Sequence, residues 1–107
     1  MTIETSGAYE SPTELPPEVE LTRTTPVFTE TTVPAGLLAA HQVASGVWGR
    51  LIVHTGELRF TFEDAPDQTH MVGAGETQVI PPQRPHHLTV AAPTTFAVEF
   101  YKAPPND

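Results

Sequence analysis

Five histidines (His41, His54, His70, His86 and His87) and thirteen Asp and Glu residues carry most of the chemistry open to this 107-residue chain. Imidazoles and carboxylates are ligands for Zn²⁺, Fe²⁺, Mn²⁺ and Ni²⁺. Cysteine is absent, which removes thiolate metal sites, disulfides and cysteine nucleophiles. Ser6, Ser11 and Ser45 lie in no nucleophile-elbow context, and no glycine-rich loop opens a helix to hold phosphates. The informative stretch runs from Gly73 to His87. Gly73-Ala74-Gly75 turns the chain into a short apolar strand ending at Ile80. Pro81, Pro82 and Pro85 then stiffen a corner by fixing φ. His86 follows at once, so the corner holds its imidazole at the start of the next strand. A rigidly placed imidazole is what a metal site requires. His87 points to the opposite face of that strand unless a bulge intervenes. His54 and His70 read as solvent-exposed.

Short strands must position these groups. Twelve prolines interrupt the chain, about twice the usual share. The longest proline-free stretch, Ala35 to Ala65, contains Gly36, Gly46, Gly49 and Gly56, which break any long helix. Strand patterns fall at Val19–Arg23, Val27–Val33, Val47–His54, Glu57–Phe62, Thr69–Val72, Thr77–Ile80, His86–Ala91 and Thr95–Tyr101. Leu37–Val43 is apolar and reads as a short helix or a strand. Leu58, Phe60 and Phe62 alternate against Glu57, Arg59 and Thr61. With Val47–His54 and the Thr55-Gly56 turn they make the best hairpin signal. On the last strand Phe96, Val98 and Phe100 alternate against Ala97, Glu99 and Tyr101. Trp48 reads as core. Arg50 reads as an exposed strand residue, with an inward anion clamp as the alternative.

Thirteen acidic residues against five basic ones give a formal net charge of −8. That balance argues against nucleic-acid and anionic-membrane partners, both of which need basic surfaces. No apolar run approaches the roughly 18 to 20 residues needed to span a bilayer. Met1 to Ser6 lacks the basic and apolar regions of a signal peptide, so a cytoplasmic location is the default expectation. Residues 1–14 read as a disordered acidic tail and 103–107 as a second tail. The working domain is then 15–102, one domain by length.

The spacing Gly75-x5-Pro81-x-Gln83-x2-His86 resembles the second motif of the cupins, G-x5-P-x-G-x2-H. The first cupin motif, G-x5-H-x-H-x3-4-E-x6-G, is reduced. Its glutamate position falls on Gly49, and only His41 stands where a histidine pair is usual. The segments Thr25–Leu38, Ala44–Leu51, Gly56–Arg59, Ile80–Pro82, Pro85–His87 and Val98–Tyr101 carry a wider likeness. With them the chain looks like the cupin-like domain at the N-terminus of some tellurite-resistance B proteins, also found as small stand-alone proteins. The likeness spans about residues 14–102.

That resemblance implies an all-β fold: a single small cupin, an antiparallel β-barrel or jelly roll with little helix. It implies a metal site in the barrel mouth, with His41, His86 and Glu99 as ligands and His87 in reserve. Facing into a barrel, Glu99 is a buried charge that needs a cation or metal beside it. A divalent ion is expected, zinc foremost, with iron, manganese or nickel as alternatives. Taken alone, His41 reads as a hydrogen-bonded core histidine and Glu99 as a residue on a solvated strand face; taken together with the resemblance, they read as ligands. The expected function is a metal-binding small cupin. A link to a tellurite- or nitrate-type stress response comes from the family association alone. Two other readings stay open. One is an oxygenase-like or small-anion-converting enzyme using open metal positions. The other is a non-catalytic ligand-binding or dimerisation module. A homodimer is expected because open strand edges are a liability, and a small molecule or anion is the expected ligand class.

Overall fold

The computed structural model describes residues 14–104, so the expectations for 1–13 and 105–107 lie outside the described residues. Among the described residues eight strands form in chain order: β1 Glu20–Thr24, β2 Phe28–Thr29, β3 Val47–Thr55, β4 Glu57–Phe62, β5 Thr69–Gly73, β6 Thr77–Ile80, β7 His86–Thr89 and β8 Thr95–Lys102. One 3-10 turn, Ala35–Leu38, is the only helical element among the described residues. All pairings are antiparallel. The larger sheet has the order β1-β8-β3-β6, with β2 also on β8, and the smaller has the order β5-β4-β7. The expected all-β jelly roll with little helix is therefore present. No helix among the described residues is long and apolar enough to cross a membrane.

The core lies between the sheets. β4 contributes Leu58, Phe60 and Phe62; β3 contributes Leu51 and Val53; β8 contributes Phe96 and Val98. These are the residues that strand alternation assigns to one face. Phe60 and Phe62 meet edge-to-face, with centroids 4.9 Å apart.

The expected β3–β4 hairpin does not form. β3 pairs with β6 and β8, whereas β4 pairs with β5 and β7. Gly56 is a corner at which the chain leaves one sheet for the other. Its φ is +77°, and a Cβ there would lie 2.3 Å from the Pro93 carbonyl oxygen. Alternation followed by a glycine turn describes a hairpin and a sheet-switching corner equally well.

The segment before β3 is also less regular than its pattern suggests. Of Val27–Val33 only Phe28 and Thr29 pair as strand. The threonines then fold the chain back: the Thr29 amide donates to Thr32 Oγ1 at 2.8 Å, and the Thr31 amide to Thr29 Oγ1 at 3.2 Å. Side-chain hydroxyls compete here with the β ladder. The 3-10 turn follows, and an isolated bridge at His41 replaces a strand over Leu37–Val43.

Candidate functional site

The proline corner does what its composition suggests. Gly75 sits at φ +84° and Gln83 at φ +57°. These are the two positions at which the cupin motif carries glycine, so Gln83 adopts the backbone that a glycine would take at no steric cost. The Gln83 amide donates to the Val43 carbonyl at 2.8 Å. Arg84 grips Asp64, with Nη2–Oδ1 at 3.0 Å and Nε–Oδ2 at 3.1 Å. Its guanidinium lies 3.7 Å from the Phe62 ring centroid. The guanidinium holds the Asp64 carboxyl below its usual range. The corner is thus tied to the core, to the β4–β5 loop and to the segment carrying His41.

His41 and His86 meet at its end. Each donates its backbone N–H to the other's carbonyl, at 3.0 and 2.8 Å. This two-bond bridge sets the rings in edge contact, with centroids 4.2 Å apart. His86 Nδ1 donates to the Arg84 carbonyl at 2.9 Å, and His41 Nδ1 donates to the Ala39 carbonyl at 3.2 Å. A carbonyl only accepts, so Nδ1 carries a proton in each ring, and in the neutral tautomer so fixed the lone pair is on Nε2. Metal-binding histidines are commonly oriented by such a bond from the non-ligating nitrogen.

His86 is buried, at 2% exposure. Its ring stacks on Phe60 with centroids 5.1 Å apart and stands edge-on to Phe62 at 6.4 Å. Burial pushes its pKa down to about 4, so the ring is neutral at neutral pH. Both histidines line an apolar cavity of about 340 Å³, walled by Phe28, Leu37, Val43, Ile80, Val98 and Phe100. A second cavity, of about 540 Å³, adjoins it and shares Arg23, His41, Val43 and Phe100.

The other expected ligands stand elsewhere. Glu99 is not in the barrel mouth. On β8 it alternates with the inward Val98 and Phe100, which puts its side chain on the outer face of the larger sheet. There Arg50 meets it, with Nη2–Oε1 at 2.8 Å and Nε–Oε1 at 2.9 Å. Tyr101 donates its hydroxyl to the same oxygen at 2.6 Å. The half-buried carboxylate does have a cation beside it, but that cation is Arg50, its cross-strand partner in register. Arg50 is accordingly neither a free exposed arginine nor an inward clamp. Trp48, on the same outer face opposite Tyr101, is half-buried rather than core.

His87 turns away from His86, as alternation requires, and its Nδ1 bonds the Glu63 carboxylate. The β4–β7 register runs without a bulge. His54 is exposed as expected, while His70 is half-buried, edge-on to Phe62 at 6.5 Å. Among the described residues no group of three or more His, Asp or Glu is placed to hold a metal ion. The structure thus brings His41 and His86 together and keeps Glu99 and His87 apart from them. Sequence reasoning missed Arg23, which lines both cavities. Its signal was modest: it is one of only five cations in an acidic chain.

The TehB-like domain family matches residues 23–98 of the chain. Uncharacterized protein YeaR of Escherichia coli K12 is 31% identical over 100 residues, covering 85% of this chain and 84% of YeaR. A crystal structure of an Escherichia coli K12 protein superposes with a TM-score of 0.78 at 30% identity, covering 86% of this chain and 98% of that one. TehB from Haemophilus influenzae superposes with a TM-score of 0.74 at 23% identity. That match covers 81% of this chain and 32% of TehB, so the likeness is to a third of the larger protein. A cupin-2 domain protein from Shewanella frigidimarina shares the fold, with a TM-score of 0.50 at 18% identity over 85% of this chain and 78% of that one.

Proposed function

The chain belongs to the TehB-like domain family, and from that premise we propose that it binds one divalent metal ion, zinc foremost, between His41 and His86. The observation that carries this reading is the matched anchoring of the two rings. Each spends Nδ1 on a backbone carbonyl and keeps Nε2 as its remaining donor. Both rings line the same cavity. Burial keeps His86 in the neutral form that ligation needs.

The donor set fits an open centre rather than a closed one. Two imidazoles are fewer than the three protein ligands usual at catalytic zinc, so water or a small ligand completes the shell. A metal held this way supplies a Lewis-acid centre with exchangeable positions. The chain's own residues supply the rest. The Arg84 and Ala39 carbonyls hold the tautomers, Phe60 and Phe62 exclude water behind His86, and the His41–His86 backbone bridge sets the spacing.

The test is metal content by mass spectrometry on tag-free protein purified without added metal or chelator. About one equivalent per chain is expected, and His41→Ala should remove it. Protein that stays metal-free after incubation with Zn²⁺, Fe²⁺, Mn²⁺ and Ni²⁺ would overturn the proposal.

A further inference from the structure

Five cations offset part of the chain's −8 formal charge, and their pairing is uneven. Arg50 is bound to Glu99 and Arg84 to Asp64. Arg23, Arg59 and Lys102 have no carboxylate partner among the described residues, and of these Arg23 and Lys102 line the cavity of about 540 Å³. Glu20 stands opposite Lys102 in the β1–β8 register without forming an ion pair with it. The Arg23 guanidinium lies 4.6 Å from the Phe100 ring centroid, which holds its plane without using its N–H donors. Thr22 spends its hydroxyl on the Phe100 carbonyl, so Arg23 and Lys102 supply the charge at this lip.

The adjoining cavity is more apolar still. Phe28, Leu37, Val43, Ile80, Val98 and Phe100 wall it, and Arg23 and His41 stand at the junction. We propose that the joined cavities bind an organic monocarboxylate with an apolar body. Its head lies between Arg23 and Lys102, and its body enters the chamber beside His41 and His86. A guanidinium matches a carboxylate through two parallel hydrogen bonds. Desolvation of the body supplies the affinity that two surface charges lack. Salt screens carboxylates beyond a Debye length, about 8 Å at physiological salt, and Glu20, opposite Lys102, is close enough to weaken the hold on such an anion. This site stands on its own cations and needs no metal.

The test uses the full chain, stripped of metal by chelation, in an NMR titration with sodium benzoate. Benzamide serves as the uncharged isostere and sodium acetate as the head alone. Saturable shifts at the Arg23 side chain and at the Leu37 and Val43 methyls are expected with benzoate. Benzamide and acetate should each bind more weakly. Arg23→Gln and Lys102→Met should each weaken benzoate by about five-fold, the equivalent of one exposed ion pair. Arg59→Gln, away from both cavities, should change nothing. Equal binding of benzoate and benzamide, or equal loss in the Arg59 variant, would overturn the proposal. So would the absence of shifts at these residues at millimolar benzoate. Because metal is absent throughout, failure here and failure of the two-histidine centre are separate results.

Discussion

His41 and His86 exchange both of their backbone hydrogen bonds, and their rings touch edge-on at 4.2 Å. The bridge is isolated: His41 lies in no strand, and its neighbours on either side make no ladder with β7. One pair of residues therefore ties the segment after the 3-10 turn to β7 and also places two imidazoles side by side.

If these two rings alone supply the protein's ligands, side-chain deletions separate them from Glu99. His41→Ala is expected to lose bound metal while keeping its far-ultraviolet circular dichroism, because His41 is only half-buried. Glu99→Gln is expected to keep the metal and to lose about 1 kcal/mol of stability with the Arg50 pair. Metal analysis beside urea unfolding checks both. Loss of metal in Glu99→Gln would return the carboxylate to the ligand set.

Acid should destabilise the fold through His86. Burial, the largest cause, lowers its pKa from 6.5 to about 4, and the charges on His41 and His87 push the same way. Between those values the unfolded chain binds more protons than the folded one, so stability falls as pH falls. The contribution is fully present above about pH 6.5 and gone below about pH 4, with an upper bound of about 3 kcal/mol. Urea unfolding in chelator at several pH values should show it. His86→Gln should be less stable at pH 7 and show a shallower acid slope. An unchanged slope in that variant would assign the acid sensitivity to the carboxylates instead.

Gln83 sits at a left-handed φ of +57° in an exposed position. Gln83→Gly should stabilise the protein by about 0.5 to 1 kcal/mol, since the backbone strain relieved exceeds the entropy glycine adds to the unfolded chain. A rise in Tm of a few degrees is the expected readout. Gln83→Val should lower Tm. A lower Tm for the glycine variant would mean that the Gln83 side chain contributes more than its backbone costs.

Gly56→Ala should be among the most damaging single-methyl additions in the chain. The new Cβ would meet Pro93 O at 2.3 Å and Thr94 Oγ1 at 2.9 Å, at a φ of +77°. A loss of at least about 2 kcal/mol is expected in chemical unfolding. Gly36→Ala, with open space at its Cβ, is the control. Comparable stability of the two variants would mean that the corner relaxes freely.

Much of the fold was legible because strand alternation is a local property. Leu58, Phe60 and Phe62 declared their buried face, and the prolines with Gly75 declared the corner before His86. The same alternation correctly opposed His87 to His86 and Val98 to Glu99. It is silent, however, on which strand lies beside which. The β3–β4 corner reads as a hairpin until Gly56 is seen packed on Pro93.

The sequence by itself determined an acidic, cysteine-free chain of short strands with His86 locked behind a proline turn. Composition, two-residue periodicity and fixed φ angles suffice for that, and the family resemblance added the cupin-like arrangement of the strands. Only the tertiary structure decided which residues meet. Register set Arg50 opposite Glu99, which neutralised on the outer face the carboxylate expected as a ligand. A single backbone bridge brought His41 to His86. The packing of β1 on β8 carried Arg23 and Lys102 to the cavity. Each is a contact between residues distant in the chain, and its partner is chosen by which sheet a strand joins, a choice that local pattern does not encode.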